Sequence, residues 1–219
     1  MEYIIRKVIE EEAAAVNNIP LKNDFIKAVG LIHKQVHEKG GKLVASGMGK
    51  AGQIALNIAT TFSSTGTPSV FLHPSDSQHG DLGVIQNNDI LLLISNSGKT
   101  REILELVDLT ENLYPGLPLI VISGNPESAL AKCADAFIFT GNPEEVCPLG
   151  LAPTTSTTVM TVIGDALVVS MMTKIGFTSE DYAKRHHGGY LGDKSRDQCS
   201  DKKNILKNNP VPPLSKINK

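Results

Sequence analysis

DILLLISNSGKTREI, residues 89–103, sets five consecutive apolar side chains between Asp89 and Ser95, then turns through Asn96, Ser97 and Gly98 into a stretch with helical spacing. A strand with one wet face alternates apolar and polar residues. An unbroken apolar run is what a strand covered on both faces requires, as in a parallel sheet with helices above and below. Four further runs share that character, at 42–46, 68–72, 117–123 and 135–139. Helix-like stretches at 50–64, 100–113 and 126–133 alternate with them, so the pattern is strand, helix, strand and the fold class is α/β. Two amphipathic helices come first, at 2–16 and 24–38; the second carries Phe25, Ile26, Val29, Ile32 and Val36 and is stopped by Gly40 and Gly41. A long apolar helix is predicted over 155–175, where Val159, Val162, Ile163, Ala166, Val169 and Met172 offer more apolar surface than one sheet face needs. That excess points to a subunit interface.

Composition narrows the function classes. The chain is 219 residues long with 41% hydrophobic residues, a globular value that excludes fibre and disorder. A net charge of −2 supplies no global positive field for a polyanion, so nucleic acid is not the expected partner. Cys133, Cys147 and Cys199 are odd in number and widely spaced, which fits neither a disulfide framework nor a metal knuckle and suggests a reducing, cytoplasmic setting. The acidic N-terminal stretch does not read as a signal peptide, and no apolar run approaches the roughly 18 residues of a membrane span. From Asp193 onward seven Lys or Arg stand against three Asp. Residues 193–219 therefore read as an extended basic tail beyond a domain of residues 1–192, whose first 40 residues form the N-terminal helices.

Two loops carry the chemistry. Gly47, Gly49 and Gly52 match the spacing of a dinucleotide-binding turn, but the second strand ends Phe71-Leu72-His73-Pro74 without the acid that would hold a ribose. Gly98-Lys99-Thr100 imitates the end of a nucleotide-binding P-loop, yet its required earlier glycine falls at Leu93. What remains is a hydroxyl-rich loop entering a helix, with Ser95, Asn96, Ser97 and Thr100 beside free N–H groups at Gly98. That set suits a phosphate monoester; an ordinary helix cap by Ser97 or Thr100 is the alternative. If the strand order is 2-1-3-4-5, the glycine turn with Gly49 and this loop open one crevice. His79 in HGD, the hydroxyls of Thr155 and Ser156, and His186 before two glycines are further candidates. His33 and His37, spaced like a helical metal pair, read as solvent-facing among charged neighbours, and no metal ligand set is expected.

The segments GMGKAG (47–52), HGDLG (79–83), ISNSGKTREI (94–103), CPLGLAPTTSTT (147–158), GDAL (164–167), GF (176–177) and HHGGYLG (186–192) closely resemble the arabinose-5-phosphate isomerases of the sugar isomerase (SIS) family. The resemblance implies a three-layer αβα sandwich with a five-stranded parallel sheet of flavodoxin-like order. It further implies a homotetramer with sites at subunit interfaces, and cofactor-free, metal-independent interconversion of D-ribulose 5-phosphate and D-arabinose 5-phosphate for synthesis of Kdo, a sugar of capsule and lipopolysaccharide. It places catalytic roles on Lys50, Glu102, Glu145 and His186, and phosphate recognition on Ser95, Ser97 and Thr100. Lys99 stands where relatives often carry an acid, and His187 where they carry proline. Other phosphosugar isomerases of this fold, on hexulose or heptulose phosphates, and non-catalytic sugar-phosphate sensors are the alternatives. Relatives commonly continue into paired CBS modules, for which the residues after Gly192 are too few. Feedback is therefore expected at the cleft itself, with CMP-Kdo, bearing a phosphate and a carboxylate, as the candidate ligand.

Overall fold

A computed structural model of the chain describes residues 1–197. Its centre is a five-stranded parallel sheet of β1 (Leu43–Gly47), β2 (Ser69–Phe71), β3 (Ile90–Ile94), β4 (Leu119–Ser123) and β5 (Ala136–Phe139) in the order β2-β1-β3-β4-β5, the order the family resemblance implies. The pleat splits the continuous apolar runs between two cores. Leu92 and Ile94 of β3 join Leu43, Ala45, Ile120, Ile122 and Ile138 on one face, while Leu91 and Leu93 join Val44, Leu119 and Val121 on the other. Each such buried Leu or Ile contributes about 1.5–3 kcal/mol relative to exposure, which is why both faces must be covered.

The first face is covered by α1 (Glu2–Asn17), α2 (Phe25–Ile32), α3 (Gly49–Ser64) and α7 (Thr155–Lys174), the second by α5 (Arg101–Leu113) and α6 (Ala129–Cys133). Short α4 (Pro74–Ser77) and a 3₁₀ turn, Asp81–Val84, interrupt the path from β2 to β3, and α8 (Ser179–Arg185) follows α7. Gly47 and Gly52 explain the dinucleotide-like spacing differently. A Cβ on Gly52 would lie 2.5 Å from the Gly47 carbonyl oxygen, and one on Gly47 would lie 2.8 Å from the Ala51 backbone, so these glycines let β1 and α3 cross in contact. At the other end of the sheet the fully buried Asp89 accepts from the Lys42 N–H at 2.8 Å, the Lys42 ammonium at 2.7 Å and the Gln86 N–H at 2.8 Å, pinning the start of β1 to that of β3.

Several expectations meet a different structure. The helix predicted over 24–38 is α-helical only to Ile32 and closes with a π turn, His33–Glu38, inside which buried Gln35 donates to the Asp89 carbonyl at 3.2 Å. The helix predicted from 126 starts at Ala129, because Pro126 is followed by Ser128, whose hydroxyl caps the Ala131 N–H at 3.2 Å. α7 has the length and apolarity of a membrane-crossing helix, more than the sequence reading allowed it, yet half of that window is buried within the protein and it packs along α3. Residues 189–197 are helical, so the first residues of the predicted tail continue the fold; the remainder, 198–219, lies outside the described residues.

Candidate active site

β1 and β3 are neighbours, so the loops leaving their carboxyl ends meet. α3 begins at Gly49 and α5 at Arg101, and neither first turn is capped by a side chain. Two helix N-termini with open N–H groups thus face one crevice, a geometry that attracts an anion. The absence of a side-chain cap also removes the ordinary reading of Ser97 and Thr100 as helix caps. Gly98, at φ 63°, shapes the loop: a Cβ there would fall 2.1 Å from the Ser128 hydroxyl. Ser95 is buried, shares a 2.9 Å hydrogen bond with the Thr100 hydroxyl and accepts from the Gly98 N–H at 3.2 Å, so it organises the loop. Ser97 is exposed and accepts from the Lys99 N–H, which leaves its own proton free for a ligand.

The crevice widens into a cavity of about 790 Å³ lined by these loops, by residues after β4 and β5, by Gly150, Leu151 and Pro153, and by Ser156, Thr157 and Met160 of α7. Lys50 and Lys99 line it, and neither makes an ion pair among the described residues; the Lys50 ammonium is 3.5 Å from the Gln53 side chain. Glu145 lines it too and is held from four directions. It accepts from the Thr154 N–H at 2.7 Å, the Thr154 hydroxyl at 2.9 Å, the Ser156 N–H at 3.3 Å and, in a short contact, the Ser156 hydroxyl. Partial burial pulls its pKa upward, but the Ser156 hydroxyl and the Thr154 and Ser156 N–H groups outweigh that and leave the carboxyl below its ordinary range. An ionised carboxylate therefore sits at the N-terminus of α7, where the helix dipole also favours it. Glu145 also lines a second cavity of about 430 Å³, together with Glu11 and Ala15 of α1 and Asn18 just after it.

The fold thus brings together Lys50, Ser95, Asn96, Ser97, Thr100, Glu145 and Ser156, with Gly49 flanking them at the start of α3. It does not bring in the rest. His79 is exposed in the turn after α4. Thr155 is buried, its hydroxyl accepting from the Val146 N–H at 3.2 Å, and faces the second cavity. Glu102 lies in the first turn of α5, half-buried and outside the cavity lining. His186 is the largest departure. α7 runs about 30 Å from the cavity at Ser156 to its far end, and Phe177 there lies against Gly66 beyond the far end of α3. The Arg185 guanidinium covers the Phe177 ring at 5.4 Å, and His186 stacks on Tyr182 with ring centroids 3.7 Å apart. His186 Nδ1 is 3.0 Å from the Tyr182 carbonyl, so Nδ1 bears the proton, and Nε2 makes no hydrogen bond among the described residues. A helix length separates this imidazole from the cavity of its own chain. The sequence reading missed Asn125 and Asn142, which line the cavity after β4 and β5; two unremarkable asparagines carry no motif, and only Asn142 at φ 49° marks itself structurally.

A family model described as the SIS domain matches residues 36–170. Arabinose 5-phosphate isomerase KdsD of Yersinia pestis is 48% identical over 193 residues, covering 88% of this chain and 57% of that protein. The chain spans about half the length of the curated relatives it matches. Among solved structures, a Bacteroides fragilis protein described as a phosphosugar isomerase involved in capsule formation is 66% identical, with TM-score 0.84, covering 85% of this chain and 97% of that one. An Escherichia coli CFT073 protein in complex with arabinose 5-phosphate is 36% identical, with TM-score 0.78, over 84% and 96% of the two chains. The matched residues take in every strand of the sheet and both uncapped helix N-termini that face the crevice, and the chain belongs to the SIS domain family.

Proposed function

We propose that the chain is an aldose-ketose isomerase interconverting D-ribulose 5-phosphate and D-arabinose 5-phosphate, supplying Kdo for capsule or lipopolysaccharide in the cytoplasm. The observation that carries the proposal is one cavity holding an anion-binding corner, two lysines that make no ion pair among the described residues and an ionised carboxylate. Likeness to the arabinose 5-phosphate isomerases and to the complex with arabinose 5-phosphate supports the choice of sugar.

In this reading the phosphate rests on Ser97, Thr100 and the first turn of α5. Glu145 takes the proton from the carbon beside the carbonyl, C2 of the aldose or C1 of the ketose, and returns it to the other carbon. Lys50 stabilises the negative charge that develops on the enediolate oxygens. His186 Nε2 moves the second proton between the two oxygens or opens the sugar ring. Since its own cavity lies a helix length away, His186 serves the cavity of a neighbouring copy, and the enzyme is a homotetramer with shared sites. The exposed Leu149, Leu151 and Val169 supply apolar surface for such contacts. Four donors keep Glu145 ionised and equally weaken it as a base, so Glu102 is the alternative base, or the group that orients substrate. No metal or cofactor takes part in this scheme.

A cavity of about 790 Å³ exceeds what a pentose phosphate fills, which makes a hexulose or heptulose phosphate the second reading and gives CMP-Kdo room as a feedback ligand. The deciding experiment incubates the purified chain with ribulose 5-phosphate, hexulose 6-phosphates and sedoheptulose 7-phosphate and follows the aldose by NMR. Arabinose 5-phosphate is expected. Turnover of the longer sugars alone would move the substrate assignment, and turnover of none would refute the isomerase.

A further inference from the structure

Three asparagines line the cavity at the carboxyl ends of three adjacent strands: Asn96 after β3, Asn125 after β4 and Asn142 after β5. Their side chains are not equivalent. Asn125 is spent on the loops, its amide donating to the Ser97 carbonyl at 3.2 Å and its oxygen accepting from the Glu127 N–H at 3.0 Å. Asn96 and Asn142 make no side-chain hydrogen bond among the described residues, yet both lie over Gly124. A Cβ on Gly124 would stand 2.7 Å from Asn96 Oδ1 and 3.0 Å from Asn142 Oδ1, so the two amide oxygens are no further apart than those distances together. Asn142 is, among the described residues, the one non-glycine with positive φ, and it directly follows Gly141 at φ 85°. Glycine would fit that backbone with less strain, so the side chain at 142 is held there at a conformational cost.

We propose that Asn96 and Asn142 form a diol-reading pair in which each amide oxygen accepts from one of two adjacent sugar hydroxyls. Their place beside the phosphate loop, where the Gly124 N–H donates to the Asn96 carbonyl at 3.0 Å, assigns them the hydroxyls on C3 and C4. Those carbons lie between the phosphate and the reacting end and carry the same hydroxyls in ketose and aldose. This inference deepens the pentose-phosphate reading and rests on it. Because the pair contacts atoms that do not change in the reaction, it binds ground and transition states alike.

The test uses D-arabinitol 5-phosphate, which cannot be isomerised, and its 3,4-dideoxy counterpart, titrated by calorimetry into wild type and Asn142→Gly. Wild type should prefer the intact polyol, and Asn142→Gly should bind it about tenfold more weakly while binding the dideoxy compound within about twofold of wild type. KM should rise in both reaction directions with kcat nearly unchanged, and melting temperature should stay within about 2 °C, since glycine suits φ 49°. Equal loss of affinity for both compounds, or no loss for either, overturns the diol pair while leaving the isomerase standing. Failure of wild type to bind arabinitol 5-phosphate overturns the pentose-phosphate reading and this inference with it.

Discussion

Replacing Ser156 by alanine isolates the group that most strongly holds Glu145 ionised. The serine hydroxyl makes a short contact to Oε1 and heads the interactions that lower this carboxyl's pKa against the upward pull of burial. A hydrogen bond to a charged group is worth about 1.5–3 kcal/mol, so its loss would raise the pKa of Glu145. Water entering the cavity replaces part of the lost bond, so the net effect is nearer about 1 kcal/mol. If Glu145 is the carbon base, the acid limb of kcat/KM moves to higher pH, while activity on the plateau is kept or rises, because the carboxylate becomes more basic. Stability follows the same linkage. A folded pKa below the unfolded one contributes stability that is present above the unfolded pKa and lost as pH falls through the folded value. Ser156→Ala narrows that gap, so its melting temperature should fall below wild type at neutral pH and the two should converge in acid. The assays are a pH profile with ribulose 5-phosphate and calorimetric melting across the same range. An unmoved acid limb, with the stability difference confirmed, would remove Glu145 as the titrating base and transfer that role to Glu102.

Gly98→Ala forces a side chain into φ 63° and onto the Ser128 hydroxyl; a loss of about 2 kcal/mol or more in denaturant unfolding and a raised KM are expected, and an unchanged midpoint would show the loop to be pliable. Lys99→Glu replaces a cavity cation by an anion beside the phosphate; KM should rise about tenfold or more with little change in kcat, an effect that added salt weakens. Lys50→Met and His186→Asn chains, each inactive alone, should recover activity when unfolded and refolded together, approaching about a quarter of wild type for random mixing, because cavity and imidazole then come from different copies. No recovery would place His186 outside the shared site.

The strands were legible because Ile90–Ile94 and its counterparts have no polar face, and two-sided burial leaves that mark on a sequence; their order came with the family resemblance. The helix N-termini were legible through Gly49 and Gly98. Less was legible where function depends on groups brought together from separate stretches. The donors that hold Glu145 come from Thr154 and Ser156, nine and eleven residues onward, across a loop without regular structure. The π turn at His33–Glu38 follows a periodicity that reads as plain α-helix and arises from tertiary contacts such as Gln35 with Asp89. Asn142 was invisible because an asparagine in left-handed backbone looks in sequence like any other loop asparagine. His79 and His186 drew notice as histidines in glycine-rich motifs, but motif membership gives no position: one lies in an exposed turn and the other at the far end of α7.

Glu145 lines two cavities, and if it is the carbon base this bears on the fate of the hydrogen it would remove. A base sealed in a dry pocket returns the same nucleus to the neighbouring carbon, and the solvent never sees it. Here Glu145 lines both the substrate cavity and the chamber beside α1. A hydrogen held on Glu145 thus has two exits, back to carbon or out through that chamber. In heavy water, isotope uptake into the sugar would then compete with internal return in every turnover. The ratio of the two would record how long the enediolate waits.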